Sequence, residues 1–177
     1  MKAMILAAGL GSRLRPLTND IPKALVRIAN KTLLEINIAK LKRFGVDELV
    51  INTYYLGNKI SDYLADNNNF GLKRVFISEE QELLDTGGGI FKAKSFFDDN
   101  PFIVYNVDII SSIDLRVMYE FHLKSNAIAT LAVRNRNSNR LLLLDANNNL
   151  IGIDDVKNNK IMLCNNNIEL SRYAFSG

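Results

Sequence analysis

The residues with the most chemical potential stand near the N-terminus, in Leu6-Ala7-Ala8-Gly9-Leu10-Gly11-Ser12-Arg13-Leu14-Arg15-Pro16-Leu17-Thr18. An apolar run leads straight into a Gly-x-Gly turn. Glycine at 9 and 11 permits positive φ and close backbone approach, so successive N–H groups can point at phosphate oxygens. Ser12 adds a hydroxyl donor, and Arg13 adds a planar, permanently charged fork that matches phosphate. Lys23 follows in Ile21-Pro22-Lys23-Ala24-Leu25, on a stretch stiffened by Pro22. Two cations beside such a loop suit a triphosphate or pyrophosphate better than a diester. A dinucleotide fingerprint would need glycine where Leu14 stands and an acidic residue where Asn52-Thr53 stand. A Walker A loop would close with Gly-Lys-Ser/Thr, which is absent. The competing explanation is a tight strand–helix turn with solvated charges; Arg13, Pro16 and Pro22-Lys23 together argue against it.

Two further segments carry candidate chemistry. In Glu79-Glu80-Gln81-Glu82-Leu83-Leu84-Asp85-Thr86-Gly87-Gly88-Gly89-Ile90, three poor helix formers precede a helical pattern. A helix start stripped of side chains lets a polar ligand reach free N–H groups, with Thr86 as N-cap or donor. The acidic run has the wrong sign for phosphate but can accept hydrogen bonds from a base or from sugar hydroxyls. In Phe102-Ile103-Val104-Tyr105-Asn106-Val107-Asp108-Ile109-Ile110, Asp108 ends an apolar strand, where a carboxylate needs a partner or a metal. Beside a triphosphate that metal is Mg²⁺, which is typically held by one or two carboxylates plus phosphates. Asn106 shares the strand face of Asp108 by the period of two. His122 reads as a packed histidine and Cys164 as an inert thiol.

Composition bounds the alternatives. The 177 residues fit one domain of ordinary globular make-up, 47% apolar and 23% charged. Twenty-two Lys and Arg against 19 Asp and Glu give a net charge of +3, too mild for a nucleic-acid arm or a membrane patch. One cysteine excludes an internal disulfide framework or a multi-cysteine metal site. No apolar run is long enough to span a bilayer, and the apolar N-terminus has the length of a buried strand rather than a signal peptide. A cytoplasmic protein with small-molecule partners is expected, and a homo-oligomer is compatible with this.

These residues need elements to position them. Strands are expected at Met4–Ala8, Glu48–Asn52, Lys73–Ile77, Pro101–Tyr105 and Ala127–Val133. Helices are expected at Thr32–Phe44, Leu56–Leu64, Gly88–Phe97 and Leu115–Ser125. The alternation predicts a doubly wound, mostly parallel α/β sheet over residues 1–133. Residues 134–177 form a β extension: a hairpin of Leu141–Leu144 and Leu150–Ile153, then short strands at Lys160–Leu163 and Arg172–Phe175. The asparagine triplets at 67–69, 147–149 and 165–167 all fall in expected turns.

Together the three chemical segments resemble the sugar-1-phosphate nucleotidyltransferases, the nucleoside-diphosphate-sugar pyrophosphorylase family. The first matches the family's Leu-Ala-Ala-Gly-x-Gly-x-Arg signature with its Pro-Leu-Thr and Pro-Lys-Ala continuation. The second is similar to the Thr-Gly-Gly-Gly-Ile form of compact members, the N-acetylmuramate-1-phosphate uridylyltransferases and mannose-1-phosphate guanylyltransferase-like proteins. The resemblance implies a Rossmann-like fold and transfer of a nucleotidyl group from an NTP to a sugar 1-phosphate, with release of pyrophosphate and dependence on Mg²⁺. It implies that Leu6, Ala7, Ala8, Gly9, Gly11 and Ser12 hold the nucleotide, and that Arg13 and Lys23 neutralise its phosphates. It further implies that Glu80 and Gly87 face the base, that Gly88 and Asn106 face the sugar, and that Asp108 binds the metal.

The chain also departs from the family pattern. Val107 stands where glycine is more usual before the metal aspartate, and Asp154-Asp155-Val156-Lys157 is not the Glu-Lys-Pro motif of larger members. The family's second metal aspartate falls after the equivalent of Phe175-Ser176-Gly177. The expectation is therefore a C-terminally truncated fold, impaired in turnover, with a non-catalytic nucleotide-binding domain as the alternative function.

Overall fold

The computed structural model describes residues 1–163 and 170–176. Cys164 and the asparagines at 165–167 lie outside them. The strands are β1 (Lys2–Leu6), β2 (Arg27–Ile28), β3 (Lys31–Thr32), β4 (Glu48–Thr53), β5 (Arg74–Glu79), β6 (Ile103–Asn106), β7 (Val133–Arg134), β8 (Arg140–Leu144), β9 (Leu150–Asp155), β10 (Lys160–Leu163) and β11 (Ser171–Phe175). The α-helices are α1 (Leu33–Phe44), α2 (Gly57–Asp66), α3 (Asp85–Lys92) and α4 (Leu115–Ser125). They group into two compact units, Met1–Arg116 and Val117–Gly177.

The first unit is built on a parallel sheet in the order β5-β4-β1-β6. Its strands alternate in which face they serve, as the two-residue period requires. Ala3, Ile5, Leu49, Ile51 and Tyr105 pack with Leu34, Ile38 and Leu41 of α1 and with Ile60 and Leu64 of α2. Met4 and Val50 point the other way, against Ala93 and Phe96 beyond α3. Helices cover both faces, so the doubly wound α/β reading holds for this unit.

Helix α1 shows how local sequence sets an element. The Thr32 side chain accepts the Glu35 N–H as N-cap, and Gly45 closes the helix at φ 108°. By contrast, the helix expected at Gly88–Phe97 starts at Asp85, takes all three glycines into its first two turns and stops at Lys92. A 3-10 turn at Lys94–Phe96 follows it.

The second unit holds an antiparallel sheet in the order β10-β9-β8-β11-β7. The expected hairpin is present as β8 and β9. Asp145 makes its turn by accepting the N–H groups of Asn147 and Asn149. The strand expected at Ala127–Val133 is corrected: only Val133–Arg134 is a strand, and it pairs antiparallel with β11. A β-prone run becomes a strand only where a neighbour completes its ladder. Below Val133, among the described residues, that ladder is limited to Ser176 N–H donating to the Ala132 carbonyl at 2.9 Å. His122 is half-buried, and its Nδ1 lies 3.0 Å from Thr130 Oγ1 within this unit, as a packed histidine should.

Candidate active site

The site lies beyond the carboxyl ends of β1 and β6, where open α/β sheets bind ligands. The chain leaves β1 at Leu6 and runs through buried Ala7 and Ala8 into exposed Gly9 and Leu10. Gly11 takes φ +65° and begins a 3-10 turn over Ser12–Leu14. A Cβ at Gly11 would stand 2.9 Å from the Thr18 methyl group, so both the φ and the space demand glycine. Thr18 is buried and donates its hydroxyl to the Gly11 carbonyl at 2.8 Å. This residue stands in the motif without having been singled out as a loop anchor. The turn continues through a cis Arg15-Pro16 bond. The Tyr55 hydroxyl fastens it farther along by donating to the Asn19 carbonyl at 2.6 Å.

This framework leaves the loop amides uncommitted. The N–H groups of Gly9, Leu10, Gly11 and Ser12 find no acceptor among the described residues. Solvent-facing amides without partners are a receptor for anionic oxygens. Gly9 does not use the positive φ that glycine permits. A Cβ there would lie 3.8 Å from the Lys23 Nζ, an ordinary contact distance, so the loop runs beside the Lys23 ammonium. Ser12 and Arg13 are exposed, and Arg13 has no ion-pair or hydrogen-bond partner among the described residues.

Lys23 and Asp108 meet. The Lys23 Nζ lies 2.9 Å from Asp108 Oδ2, with the side chains 17% and 33% exposed. Asp108 follows β6 on a turn whose base is fixed: the Val107 N–H donates to the Leu6 carbonyl at 3.1 Å, and the Val107 carbonyl accepts Asn37 Nδ2 at 2.7 Å. Val107 is fully buried, so this otherwise unusual residue is a core position. Asn106 pairs in register with Leu6 and is half-buried at the strand end. Among the described residues no cluster of three or more metal-ligating side chains occurs. One accessible carboxylate beside unpartnered loop amides and Lys23 nonetheless fits Mg²⁺, which takes much of its coordination from phosphate and water.

The acidic segment is placed differently from the loop. Glu80 is buried, and its carboxylate is turned into the protein. Its Oε1 accepts Asn52 Nδ2 at 2.8 Å, and its Oε2 accepts the Leu84 N–H at 3.2 Å. Gly87 is exposed, with open space where a side chain would stand. A Cβ at Gly88 would stand 2.8 Å from the Leu84 Cβ, and one at Gly89 would stand 2.8 Å from Asn52 Nδ2. Asn52 is thus a structural participant that sequence reasoning noted only as a missing acid. The signal was a polar residue closing the all-apolar run Leu49-Val50-Ile51.

A shallow groove of about 260 Å³ in the same unit is lined by Asn37, Lys40, Arg43, Tyr105, Ser111 and Ser112 among others, and includes none of the loop residues. Lys40 is already committed there to the Ser111 carbonyl and hydroxyl, at 2.8 and 2.9 Å.

The nucleotidyl transferase family model matches residues 2–141. The chain belongs to this family. Several of its relatives are named as uridylyl- or guanylyltransferases of sugar 1-phosphates. It is 41% identical over 120 residues to an N-acetylmuramate alpha-1-phosphate uridylyltransferase of Neisseria meningitidis, covering 68% of this chain and 52% of that protein. It is 36% identical over 134 residues to a D-glycero-alpha-D-manno-heptose 1-phosphate guanylyltransferase of Aneurinibacillus thermoaerophilus, covering 76% and 57%. The structure of HddC from Yersinia pseudotuberculosis, solved with GMP-PN, superposes with a TM-score of 0.69 at 26% identity, over 98% of this chain and 72% of that one. A glucose-1-phosphate thymidylyltransferase structure from Bacillus anthracis, itself described as putative, shares the fold at a TM-score of 0.79 and 22% identity, over 100% and 69%. The chain spans between 37% and 57% of the length of the curated relatives compared with it. No helix among the described residues is long and apolar enough to cross a membrane.

Proposed function

We propose that this chain transfers a nucleotidyl group from an NTP to a sugar 1-phosphate, yielding an NDP-sugar and pyrophosphate, with Mg²⁺ and in the cytoplasm. The observation that carries the reading is the convergence of three separate segments: Gly9 on the loop, Lys23 and Asp108. In this reading a phosphate oxygen of the sugar 1-phosphate attacks the α-phosphorus of the NTP. A new P–O bond forms, the bond to the β-phosphate breaks, and pyrophosphate leaves with the negative charge. The nucleophile is already ionised, so no strong general base is needed; alignment and charge stabilisation supply the catalysis. Bound at Asp108, Mg²⁺ would offset phosphate charge.

The protein's own groups divide the remaining work. Backbone from Leu6 to Gly11, with Ser12, cradles the phosphates. Arg13 and Lys23 neutralise them. Gly87 and the open start of α3 receive the base, and Glu80 fixes that segment from beneath. Gly88 and Asn106 serve the sugar side. The test is a pyrophosphate-release screen of four NTPs against several sugar 1-phosphates, beside calorimetric titration of NTP with Mg²⁺. Turnover with one pair supports the proposal. Binding without turnover for any sugar 1-phosphate assigns the chain the nucleotide-binding role alone. Absence of NTP binding overturns the reading.

A further inference from the structure

Asn52 occupies a position that no catalytic role requires, yet its amide is used at both ends. It is 3% exposed and sits opposite Leu6 in the β1–β4 register. Its Oδ1 accepts the Ala7 N–H at 2.8 Å, and its Nδ2 donates to Glu80 Oε1 at 2.8 Å. Only one orientation of the amide satisfies both neighbours, because Ala7 offers a donor and Glu80 an acceptor. Glu80 passes the connection on: its Oε2 accepts the Leu84 N–H, and its own N–H donates to the Thr53 carbonyl at 2.7 Å. The third glycine completes the arrangement. A Cβ at Gly89 would stand 2.8 Å from Asn52 Nδ2 and 2.9 Å from Glu80 Oε1, so α3 rests directly on the Asn52–Glu80 pair. One buried side chain therefore joins the start of the phosphate loop to the segment carrying Gly87 and Gly88.

We propose that Asn52 is a positioning residue that fixes the phosphate loop and the Glu80–Gly89 segment in one relation, so that triphosphate and base are bound by a single preorganised surface. This rests on the nucleotide-binding reading above. The chemistry of the bridge gives a sharp test, because its polarity can be reversed at constant charge. In Asn52→Asp two carboxylates face each other where a hydrogen bond stood. In Asn52→Asp with Glu80→Gln, the new amide donates to the new carboxylate. That carboxylate still accepts from Ala7, and the glutamine oxygen still accepts from Leu84.

The experiment is calorimetric titration of the 177-residue chain with each of the four NTPs, on wild type, Asn52→Asp, Glu80→Gln and the double variant, with melting temperatures recorded alongside. Expected is a loss of NTP affinity of at least about tenfold in Asn52→Asp, with a flattened preference among bases. The double variant should recover most of that loss. A double variant no better than Asn52→Asp overturns the bridge. So does an Asn52→Asp protein that melts earlier but binds NTPs as wild type does, since that is a purely structural role. If Asn52→Asp does not fold, the double variant decides: near-wild-type affinity supports the inference, and a tenfold loss at a normal melting temperature overturns it. Failure of the wild type to bind any NTP is a separate outcome, which removes the nucleotide reading itself and this role with it.

Discussion

Lys23 and Asp108, 85 positions apart in sequence, form an ion pair at 2.9 Å directly beside Gly9 of the glycine loop that follows β1. Each is the other's partner in this structure, and each has a different proposed partner in the working complex. Under the proposed function, triphosphate binding would draw Lys23 from Asp108, and a cation at Asp108 would release Lys23 toward phosphate. Removing the carboxylate's charge should expose both halves of this exchange. Asp108→Asn is expected to bind triphosphate more tightly than wild type without metal, because Lys23 is free and a nearby negative charge is gone. The same variant should lose at least about a hundredfold in turnover, because an amide is a poor ligand for a hard cation. Metal-free titration and pyrophosphate release measure the two effects. Unchanged turnover would defeat the metal assignment.

Arg13 is the complementary case. It is exposed and has no partner among the described residues, so its truncation should leave folding stability within about 0.5 kcal/mol of wild type. Each charge-assisted contact to phosphate is worth about 1.5–3 kcal/mol, so Arg13→Ala should weaken triphosphate binding by about ten- to a hundredfold. Thermal melts and titration of the same preparation check both halves. A lowered melting temperature would show that Arg13 serves the fold.

Gly11 ties the loop's shape to its function. At φ +65°, and with a Cβ 2.9 Å from the Thr18 methyl group, alanine meets an unfavourable backbone region and a clash together. Gly11→Ala is expected to cost about 1–3 kcal/mol in chemical denaturation. Triphosphate affinity should fall as well, since the Gly11 carbonyl would lose its fixed contact with the Thr18 hydroxyl. Wild-type denaturation and wild-type affinity together would show that the loop tolerates another path.

The parts of the structure legible in the sequence are those decided locally. Thr32 and Gly45 bracket α1 because a cap and a left-handed glycine act within a few residues of themselves. Met4 and Ile5 serve opposite sheet faces because the strand period is two. What the sequence left hidden depends on contacts from afar. The helix expected from Gly88 begins at Asp85 instead and takes in Gly87 as well, with Gly89 lying over Asn52 of β4 and Glu80 just past β5. The 127–132 run has strand composition, but composition cannot say whether an edge will be there to receive it. The carboxylate of Asp108 was legible as needing a partner; that the partner is Lys23 is a fact of the parallel sheet order, which brings β6 beside β1.

Asp98 provides a pH test outside the site. The Lys2 ammonium, 2.9 Å from Oδ2, is the chief influence holding this carboxyl down to about 2. The backbone N–H and side-chain amide of Asn100 assist, donating to Oδ1 at 3.0 and 3.1 Å. Lys2 also donates to the Phe96 carbonyl at 2.9 Å, so the pair fastens the start of β1 to the turn after α3. The native value lies below the ordinary carboxylate value of 3.8, so the unfolded chain binds the extra proton first as pH falls. The contribution of Asp98 to stability is therefore present in full above about pH 4. It declines through the interval between the two values and is gone below about pH 2. Melting temperatures of wild type and Asp98→Ala should differ by a constant amount from neutral pH down to that interval, and converge beneath it. A difference that survives well below pH 2, or an Asp98 carboxyl resonance titrating near 3.8, would show that Lys2 does not hold it.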